Sequence, residues 1–327
     1  MRTRVCNLLS IEHPVALGGM AGVAAERLVA AVSNAGGLGT LGCANQPPSW
    51  ITAAARAVRE KTERPFALNL LLFLADEGTI GAVLEAKPPV FSTSWPRADY
   101  DLRALFRRAH DAGSKVMHMV STVHEARRAA EAGADLVVAQ GSEGGGHVGL
   151  IGSIVLVPMV ARAVAPVPVL AAGGIATGEG LAAALALGAE GALLGTRFLV
   201  TAESPLPPAF QRAILASDGH NTLLTEIPDV ARGRAWPGAF SRVARNRFVE
   251  RWAGREGELR ARQAEAAAGL LRAVAEGDAE EAALFMGQDA GLIDAVEPAG
   301  ELVRKIVREA EEILRKLGSG IGSGRPS

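Results

Sequence analysis

The sequence predicts a (β/α)₈ barrel, and two observations point to this fold class. Eight short apolar runs alternate with longer segments of helical periodicity, which is typical of a parallel sheet whose strands are joined by crossover helices. Several of the helical segments end in Ala-Gly or Leu-Gly, where glycine can adopt the left-handed conformation that caps a helix before the next strand. Eight strands with their helices fit a closed barrel better than an open sheet.

The predicted strands are short and apolar, and they span residues 15–18, 38–42, 66–72, 90–93, 115–120, 135–140, 167–172 and 191–195. Seven predicted helices separate them, at residues 24–35, 49–61, 76–86, 101–112, 122–132, 154–164 and 178–187. The segment 299–316 keeps Leu302, Ile306 and Ala310 on one face and charged residues elsewhere. We therefore expect this segment to supply the eighth outer helix.

An open, doubly wound sheet is the alternative arrangement of the same elements. That fold normally has a GxGxxG turn between its first strand and helix, and an acidic residue after its second strand. The first turn here, residues 17–22, reads LGGMAG, which places the glycines at a different spacing, and no acidic residue follows Gly42 directly. The barrel is therefore the favoured prediction.

The alternation stops after the eighth strand, which predicts an insertion. Two stretches rich in Arg, Glu and Ala, 208–217 and 256–275, indicate helices there. We expect a helical insertion that packs over the barrel mouth. The predicted division is a barrel of residues 1–204 and 291–318, an insertion of residues 205–290, and a flexible tail of residues 319–327.

Composition excludes several classes of function. The 327 residues carry a net charge of −1, which provides no electrostatic footprint for nucleic acid or anionic lipid. The only cysteines, Cys6 and Cys43, form no CxxC pair, so neither a disulfide framework nor a metal site is expected. No apolar stretch has the length of a membrane span, and the amino terminus lacks a signal-peptide pattern. We expect a soluble, cytoplasmic protein without nucleic-acid or membrane partners.

Functional groups of such barrels lie at the carboxyl ends of the strands. Gly173 and Gly174 follow the seventh predicted strand, and Gly195 and Thr196 follow the eighth. Glycine lets backbone N–H groups turn towards an anion, and this is where the fold usually binds phosphate. The alternative is that these glycines only make tight turns, but two matched sites weaken that interpretation.

The loop after the sixth predicted strand, residues 140–147, reads QGSEGGGH. Its glycines, including Gly145 and Gly146, permit a close approach of the backbone to a planar ring, and His147 would stand beside that ring. Histidine has an ordinary pKa of about 6.5 and can exchange protons near neutrality. A surface histidine on a mobile loop is the alternative.

Two further strand ends are candidates for ligand contacts. Gly18, Gly19 and Met20 end the first strand with exposed backbone and a soft apolar side chain, which suits an aromatic ring system. Asn69 is a polar residue inside the apolar third strand, and a buried amide needs a hydrogen-bond partner in the protein or in a ligand.

Three separated blocks resemble the nitronate monooxygenases, formerly called 2-nitropropane dioxygenases. The blocks are residues 18–42, 140–149 and 168–204, in the family's order. The similarity spans most of residues 11–204 and is looser in the insertion, at 231–233 and 287–292. The resemblance implies an FMN-dependent barrel of a superfamily that also contains FMN-dependent enoyl-acyl-carrier-protein reductases and flavin NAD(P)H:quinone reductases.

The resemblance also implies roles for the candidate residues. FMN phosphate would lie on Gly173, Gly174, Gly195 and Thr196. The family's catalytic histidine maps onto His147. The flavin ring would lie near the remaining candidates, which are Gly18, Gly19, Met20, Asn69 and Gln140. The implied substrates are a nitronate or nitroalkane and O₂, and the products are a carbonyl compound and nitrite.

Three alternatives remain at this point. A reductase of the same superfamily would use NAD(P)H, and residues 18–21 do not discriminate, although no separate nucleotide-binding fingerprint is evident. A non-catalytic phosphate binder would keep the glycine turns without needing His147. A sugar-phosphate aldolase or isomerase would normally place a lysine or a carboxylate pair at strand ends, and none is found. The oligomeric state is left open, with a homodimer through the apolar helices of the insertion as one option.

Overall fold

Eight parallel strands close into a barrel in the computed structural model, which describes residues 1–23 and 25–321. The barrel strands are β1 Val15–Leu17, β2 Gly39–Gly42, β3 Phe66–Leu71, β4 Val90–Ser94, β5 Lys115–Val120, β6 Leu136–Gln140, β8 Val169–Ala172 and β9 Ala192–Leu194, and β7 Gly146–Val148 belongs to a second sheet. Neighbouring barrel strands follow the order β1-β9-β8-β6-β5-β4-β3-β2. A parallel bridge between Ala16 and Leu38 then joins β1 to β2 and closes the ring. The predicted fold class is confirmed, and each strand lies where the apolar runs placed it, within two residues at either end.

Helices surround the barrel, and their ends follow local sequence signals. In α6 Val123–Ala132, Thr122 and Glu125 form a capping box at the start, and Gly133 adopts the left-handed conformation at the end, with φ 102°. The helices up to the eighth barrel strand are α1 Arg4–Leu9, α2 Glu26–Asn34, α3 Pro48–Arg59, α4 Glu77–Glu85, α5 Leu102–Asp111, α6 Val123–Ala132, α7 Ser153–Val164 and α8 Gly178–Ala186.

The core has two layers. The larger layer lies between the strands and the outer helices and includes Leu17, Leu68 and Phe106. The smaller layer fills the lower barrel interior, where α1 contributes Val5 and Cys6. Sequence reasoning did not predict α1, which is only six residues long. Since this helix covers one end of the barrel, the ligand-accessible end is the opposite one, where the strands finish.

The insertion is not purely helical, contrary to the prediction. Two strands, β10 Thr222–Thr225 and β11 Phe240–Ala244, pair antiparallel. A third strand, β7 Gly146–Val148, comes from the glycine loop and pairs with β11. These strands are only three to five residues long, which is too short for alternation to stand out from the helical pattern around them. The other elements are α9 Thr196–Leu199, α10 Pro208–Leu215, α11 Ile227–Arg232, α12 Arg247–Trp252, α13 Glu256–Ala261, α14 Gln263–Glu276 and a 3₁₀ turn, Gln288–Leu292.

The final helix, α15 Ala299–Ile321, packs against α8 and α2 and completes the outer ring as predicted. It continues through residues 319–321, which the sequence had assigned to a flexible tail. The rest of that predicted tail, residues 322–327, lies outside the described residues. Within the described part of the chain, no helix is both long enough and apolar enough to cross a membrane.

Candidate active site

A cavity of about 340 Å³ opens at the carboxyl ends of the barrel strands, and the insertion forms its other wall. Every site residue predicted from the sequence lines it. These residues are Gly18, Gly19, Met20, Asn69, Gln140, Gly145, Gly146, His147, Gly173, Gly174, Gly195 and Thr196. The structure therefore brings together strand ends that are far apart in sequence.

The two glycine turns lie side by side on one wall of this cavity. Gly173 and Gly174 both adopt left-handed backbone conformations, with φ of 92° and 74°, which favour glycine. The backbone N–H groups of Gly174, Gly195 and Thr196 donate to no carbonyl oxygen of the described residues. These groups are free to bind an anion such as a phosphate.

Gly195 is open towards the cavity. A Cβ added there would meet the Met20 Sδ at 3.7 Å, an ordinary contact distance. The neighbouring Thr196 is buried, and its hydroxyl accepts a hydrogen bond of 2.9 Å from the backbone N–H of Gly287. Thr196 therefore ties the 3₁₀ segment of the insertion to the barrel.

Asn69 projects from the third barrel strand beside the first turn. Its amide nitrogen donates to the Ser92 hydroxyl at 2.9 Å, so part of its hydrogen-bonding capacity is satisfied inside the protein. Gly19 packs directly on this side chain, because an added Cβ would come within 2.4 Å of the Asn69 amide carbon. The contact fixes the first turn against the third strand.

Two buried oxygen atoms in the cavity wall have no hydrogen-bond partner among the described residues. They are Oε1 of Gln140 and Oδ1 of Asp289. Burial raises the pKa of the Asp289 carboxyl to about 7. Buried polar atoms normally find partners, so these two oxygens fit a ligand that offers hydrogen-bond donors.

Two neighbouring glycines of the glycine loop have different surroundings. A Cβ at Gly145 would come within 2.5 Å of the backbone of Met286 and Gly287, so this residue lets the insertion pack on the loop. At Gly146, with φ 78°, an added Cβ would meet nothing within 4 Å. Glu143 anchors the loop, because its carboxylate accepts hydrogen bonds of 2.8 and 3.0 Å from the backbone N–H of Ser153.

His147 is held by residues of the insertion. Its Nε2 lies 2.9 and 3.0 Å from the two carboxylate oxygens of Asp229. The Ser241 hydroxyl donates to Asp229 Oδ2 at 2.7 Å and lies 3.0 Å from the same Nε2. Since carboxylates only accept, Nε2 carries the proton in this arrangement. The neutral imidazole then has its lone pair on Nδ1, which bonds to none of the described residues.

Aromatic rings enclose this histidine. The Trp236 ring stacks on the imidazole at a centroid distance of 3.3 Å, and the Phe285 ring lies 5.7 Å away. The His147 side chain is 13% exposed and that of Asp229 is 8% exposed. Burial lowers the pKa of His147. The hydrogen bond and the charge of Asp229 raise it, and the positive charges of Arg232 and Arg234 lower it further. The net shift favours a neutral imidazole, as a proton acceptor requires.

Sequence reasoning missed the cavity residues that the insertion contributes. These are Asp229, Arg232, Arg234, Trp236, Phe285 and Asp289. The loose similarity to the family at residues 231–233 and 287–292 points only to Arg232 and Asp289 among them. Asp229 stands in the apolar stretch IPDVA, and an acid in such a stretch is itself a sign of a buried partner.

Comparisons with known proteins agree with this architecture. The family model described as nitronate monooxygenase matches residues 2–87 and 75–309. A curated relative from Mycobacterium tuberculosis is 36% identical, covering 95% of this chain and 96% of its own length. It is named (3aS,4S,5R,7aS)-5-hydroxy-7a-methyl-1-oxo-octahydro-1H-indene-4-carboxyl-CoA dehydrogenase.

Two solved structures are similar over nearly their whole length. FabK from Thermotoga maritima superposes with a TM-score of 0.88 at 37% identity, covering 98% of this chain and 99% of its own. Nitroalkane oxidase from Streptomyces ansochromogenes superposes with a TM-score of 0.82 at 28% identity, covering 96% of this chain and 99% of its own. The match with both extends through the barrel and the insertion.

Proposed function

The chain belongs to the nitronate monooxygenase family, and from that premise we propose that it is an FMN-dependent enzyme that oxidises alkyl nitronates with O₂ to a carbonyl compound and nitrite. It is an oxidoreductase, as its family and relatives are. The observation that carries the finer proposal is the hydrogen bonding of His147, whose Nε2 is held by Asp229 while Nδ1 remains available as a base.

Several features of the cavity support the proposal of FMN as the cofactor. Free backbone N–H groups at the glycine turns suit its phosphate, and the unpartnered oxygens of Gln140 and Asp289 suit groups that donate hydrogen bonds. We assign the phosphate end to Gly173, Gly174, Gly195 and Thr196. We assign the ring end to Gly18, Gly19, Met20, Asn69, Gln140, Gly145 and Gly146. Bound FMN would supply the redox chemistry by accepting electrons from the substrate and passing them to O₂.

His147 provides the proton chemistry in this proposal. Its Nδ1 takes the α-proton from a neutral nitroalkane and so generates the nitronate inside the cavity. Asp229 keeps the Nε2–H in place and stabilises the imidazolium that results. Positioned proton transfer of this kind typically accelerates a reaction by about 10²–10⁴-fold. A substrate supplied as the nitronate needs no such step, and His147 then only orients it.

The insertion belongs to the same proposal. Residues 205–290 contribute Asp229, Trp236 and Phe285 to the cavity wall, so we propose that they form a cover over the barrel of residues 1–204 and 291–318. Aromatic side chains in that cover exclude water from the imidazole, which strengthens its hydrogen bond to Asp229.

A second candidate is a reductase or dehydrogenase that exchanges electrons with NAD(P)H. The supporting observation is the 36% identity, over almost the whole chain, to a protein named as a dehydrogenase of a carboxyl-CoA thioester. The similarity to FabK is equally extensive. The same cavity serves both candidates, because each needs a flavin ring beside a proton-transfer group.

Flavin reduction under anaerobic conditions separates the two candidates. The purified protein is mixed separately with NADH, NADPH and propionate 3-nitronate while the visible absorbance of the flavin is followed. The proposal expects rapid bleaching by the nitronate and slow bleaching by either nicotinamide. Rapid bleaching by a nicotinamide with none by the nitronate would establish the second candidate instead.

A further inference from the structure

Two arginine side chains of the insertion line the cavity without an acidic partner. Neither Arg232 nor Arg234 forms a salt bridge with a described carboxylate, although both belong to the cavity wall. Arg234 is exposed and makes one long contact of 3.4 Å, from its Nη2 to Asn45 Oδ1. The Arg232 side chain is half-buried, and its guanidinium donates no hydrogen bond to any described residue. Its guanidinium carbon lies 5.4 Å from the centre of the Phe285 ring.

A half-buried guanidinium without a partner is costly. Burial lowers the pKa of Arg232, and the charge of Asp229 counteracts this shift. However, both oxygens of Asp229 already bond to His147 and Ser241. Arg232 ends α11, where a cation is favoured by the helix dipole, but that effect requires only an exposed side chain. The helix dipole therefore does not explain why the Arg232 guanidinium faces the cavity without a hydrogen-bond acceptor.

We propose that Arg232 and Arg234 form an oxyanion site for the substrate, so that the enzyme acts on molecules carrying a carboxylate or phosphate group in addition to the group that reacts. A guanidinium presents five N–H donors in a planar fork that matches such oxyanions. Only the identity of the reacting group, and not the oxyanion site itself, rests on the proposed function.

The position of the site relative to His147 supports this assignment. The rings of His147 and Phe285 have centroids 5.7 Å apart, and the Arg232 guanidinium lies against the same Phe285 ring. Arg232 also follows Asp229 by three residues on α11, so one short helix positions both the carboxylate that holds His147 and the anion site. One small substrate can therefore reach His147 with one end and the arginines with the other.

Direct binding tests the site without relying on turnover. The flavin-loaded protein is titrated calorimetrically with 3-nitropropionate, with inorganic pyrophosphate and with neutral 1-nitrobutane. We expect at least one oxyanion to bind wild type about 10- to 100-fold more tightly than it binds the Arg232→Met/Arg234→Met double variant, given what a hydrogen bond to a charged group contributes. 1-Nitrobutane should bind both proteins equally. The oxyanion that binds identifies the source as a carboxylate or a phosphate.

Three controls make the outcome decisive. Arg56→Met removes an exposed arginine of α3 that pairs with Glu60 and should leave all affinities unchanged. Arg232→Lys keeps the charge and should restore part of the lost affinity. Flavin content is measured in each variant. The anion site would be overturned if wild type and the double variant bound the oxyanions equally, or if the double variant lost its flavin. A nitronate that fails to bleach the flavin would count only against the proposed function.

Discussion

The Nε2 atom of His147 lies 2.9 and 3.0 Å from the two carboxylate oxygens of Asp229, although the residues are 82 positions apart in the chain. The histidine comes from the glycine loop of the barrel and the aspartate from α11 of the insertion. Strand pairing between β7 and β11 brings the two segments together and places Ser241 opposite His147. The His147–Asp229 pair therefore exists only when the insertion is docked on the barrel.

Replacement of Asp229 by Asn tests whether the carboxylate positions the histidine. We expect the rate with neutral nitroethane to fall about 10²-fold or more, because the imidazolium loses its counter-charge and the tautomer is no longer fixed. The rate with pre-formed ethyl nitronate should change much less. Steady-state kinetics with both substrates measures the difference.

A double-mutant cycle provides the control for this prediction. In a His147→Gln background, Asp229→Asn should cause little further loss, since the two side chains act as a unit. Losses that simply multiply would mean that Asp229 acts independently of His147, and the positioning role would then be rejected.

The pH dependence should reflect the burial of His147. Burial lowers its pKa below 6.5, so the imidazole remains a neutral base into mildly acidic solution. We expect kcat/KM for neutral nitroalkane to fall only as the pH drops below 6.5, while kcat/KM for the nitronate lacks this limb. Removing the positive charge in Arg232→Met should move the limb to higher pH, because Arg232 is one of the groups that lower the pKa. A limb that lies above pH 6.5 in wild type would contradict the assignment.

Much of the barrel and of the candidate site could be predicted from the sequence. Strands such as Lys115–Val120 are apolar runs with clear ends, and glycines such as Gly173 mark the turns that follow them. Asp229 could not be paired with His147, because that contact depends on how a short hairpin docks on the barrel. The strands of this hairpin are too short to produce a readable period.

Gly195 allows a test of the proposed phosphate end. Its φ of −111° lies outside the left-handed region and an added Cβ has room against Met20, so Gly195→Val places its side chain in space that the cofactor needs without a clash at Cβ. We expect at least about tenfold weaker FMN binding, as overpacking of 1–3 kcal/mol implies. Flavin fluorescence during titration of the apoprotein measures the affinity.

The matched control for this variant is Gly81→Val. Gly81 lies in α4 and also has open space around an added Cβ, but it is remote from the cavity wall. Gly174 is a poorer test, because its φ of 74° and the Glu143 Cβ at 3.0 Å would strain the protein itself. Unchanged FMN affinity in Gly195→Val would rule out the assignment of the phosphate to this turn.

His118 should make the free energy of unfolding depend on pH. It is fully buried in the barrel, with Nδ1 2.7 Å from the Thr93 hydroxyl, and burial lowers its pKa to about 3. Between pH 6.5 and about 3 the unfolded chain therefore binds one proton more than the folded protein at this residue. Stability must then decrease as the pH falls through this window, by up to about 1.4 kcal/mol per pH unit from this residue alone.

Asp289 acts in the opposite direction, because its raised pKa lets the folded protein bind a proton that the unfolded chain has lost. Comparing variants isolates His118, since Asp289 is common to them. We expect His118→Gln to reduce the slope of unfolding free energy against pH between about 4.5 and 6.5 by up to about 1.4 kcal/mol per unit, whatever its effect on absolute stability. Urea titrations of the apoprotein measure it, with His124→Gln, which removes an exposed histidine of α6, as the matched control variant. If His118→Gln shows the wild-type slope as well, the imidazole is protonated in the folded barrel and its burial as a neutral group is refuted.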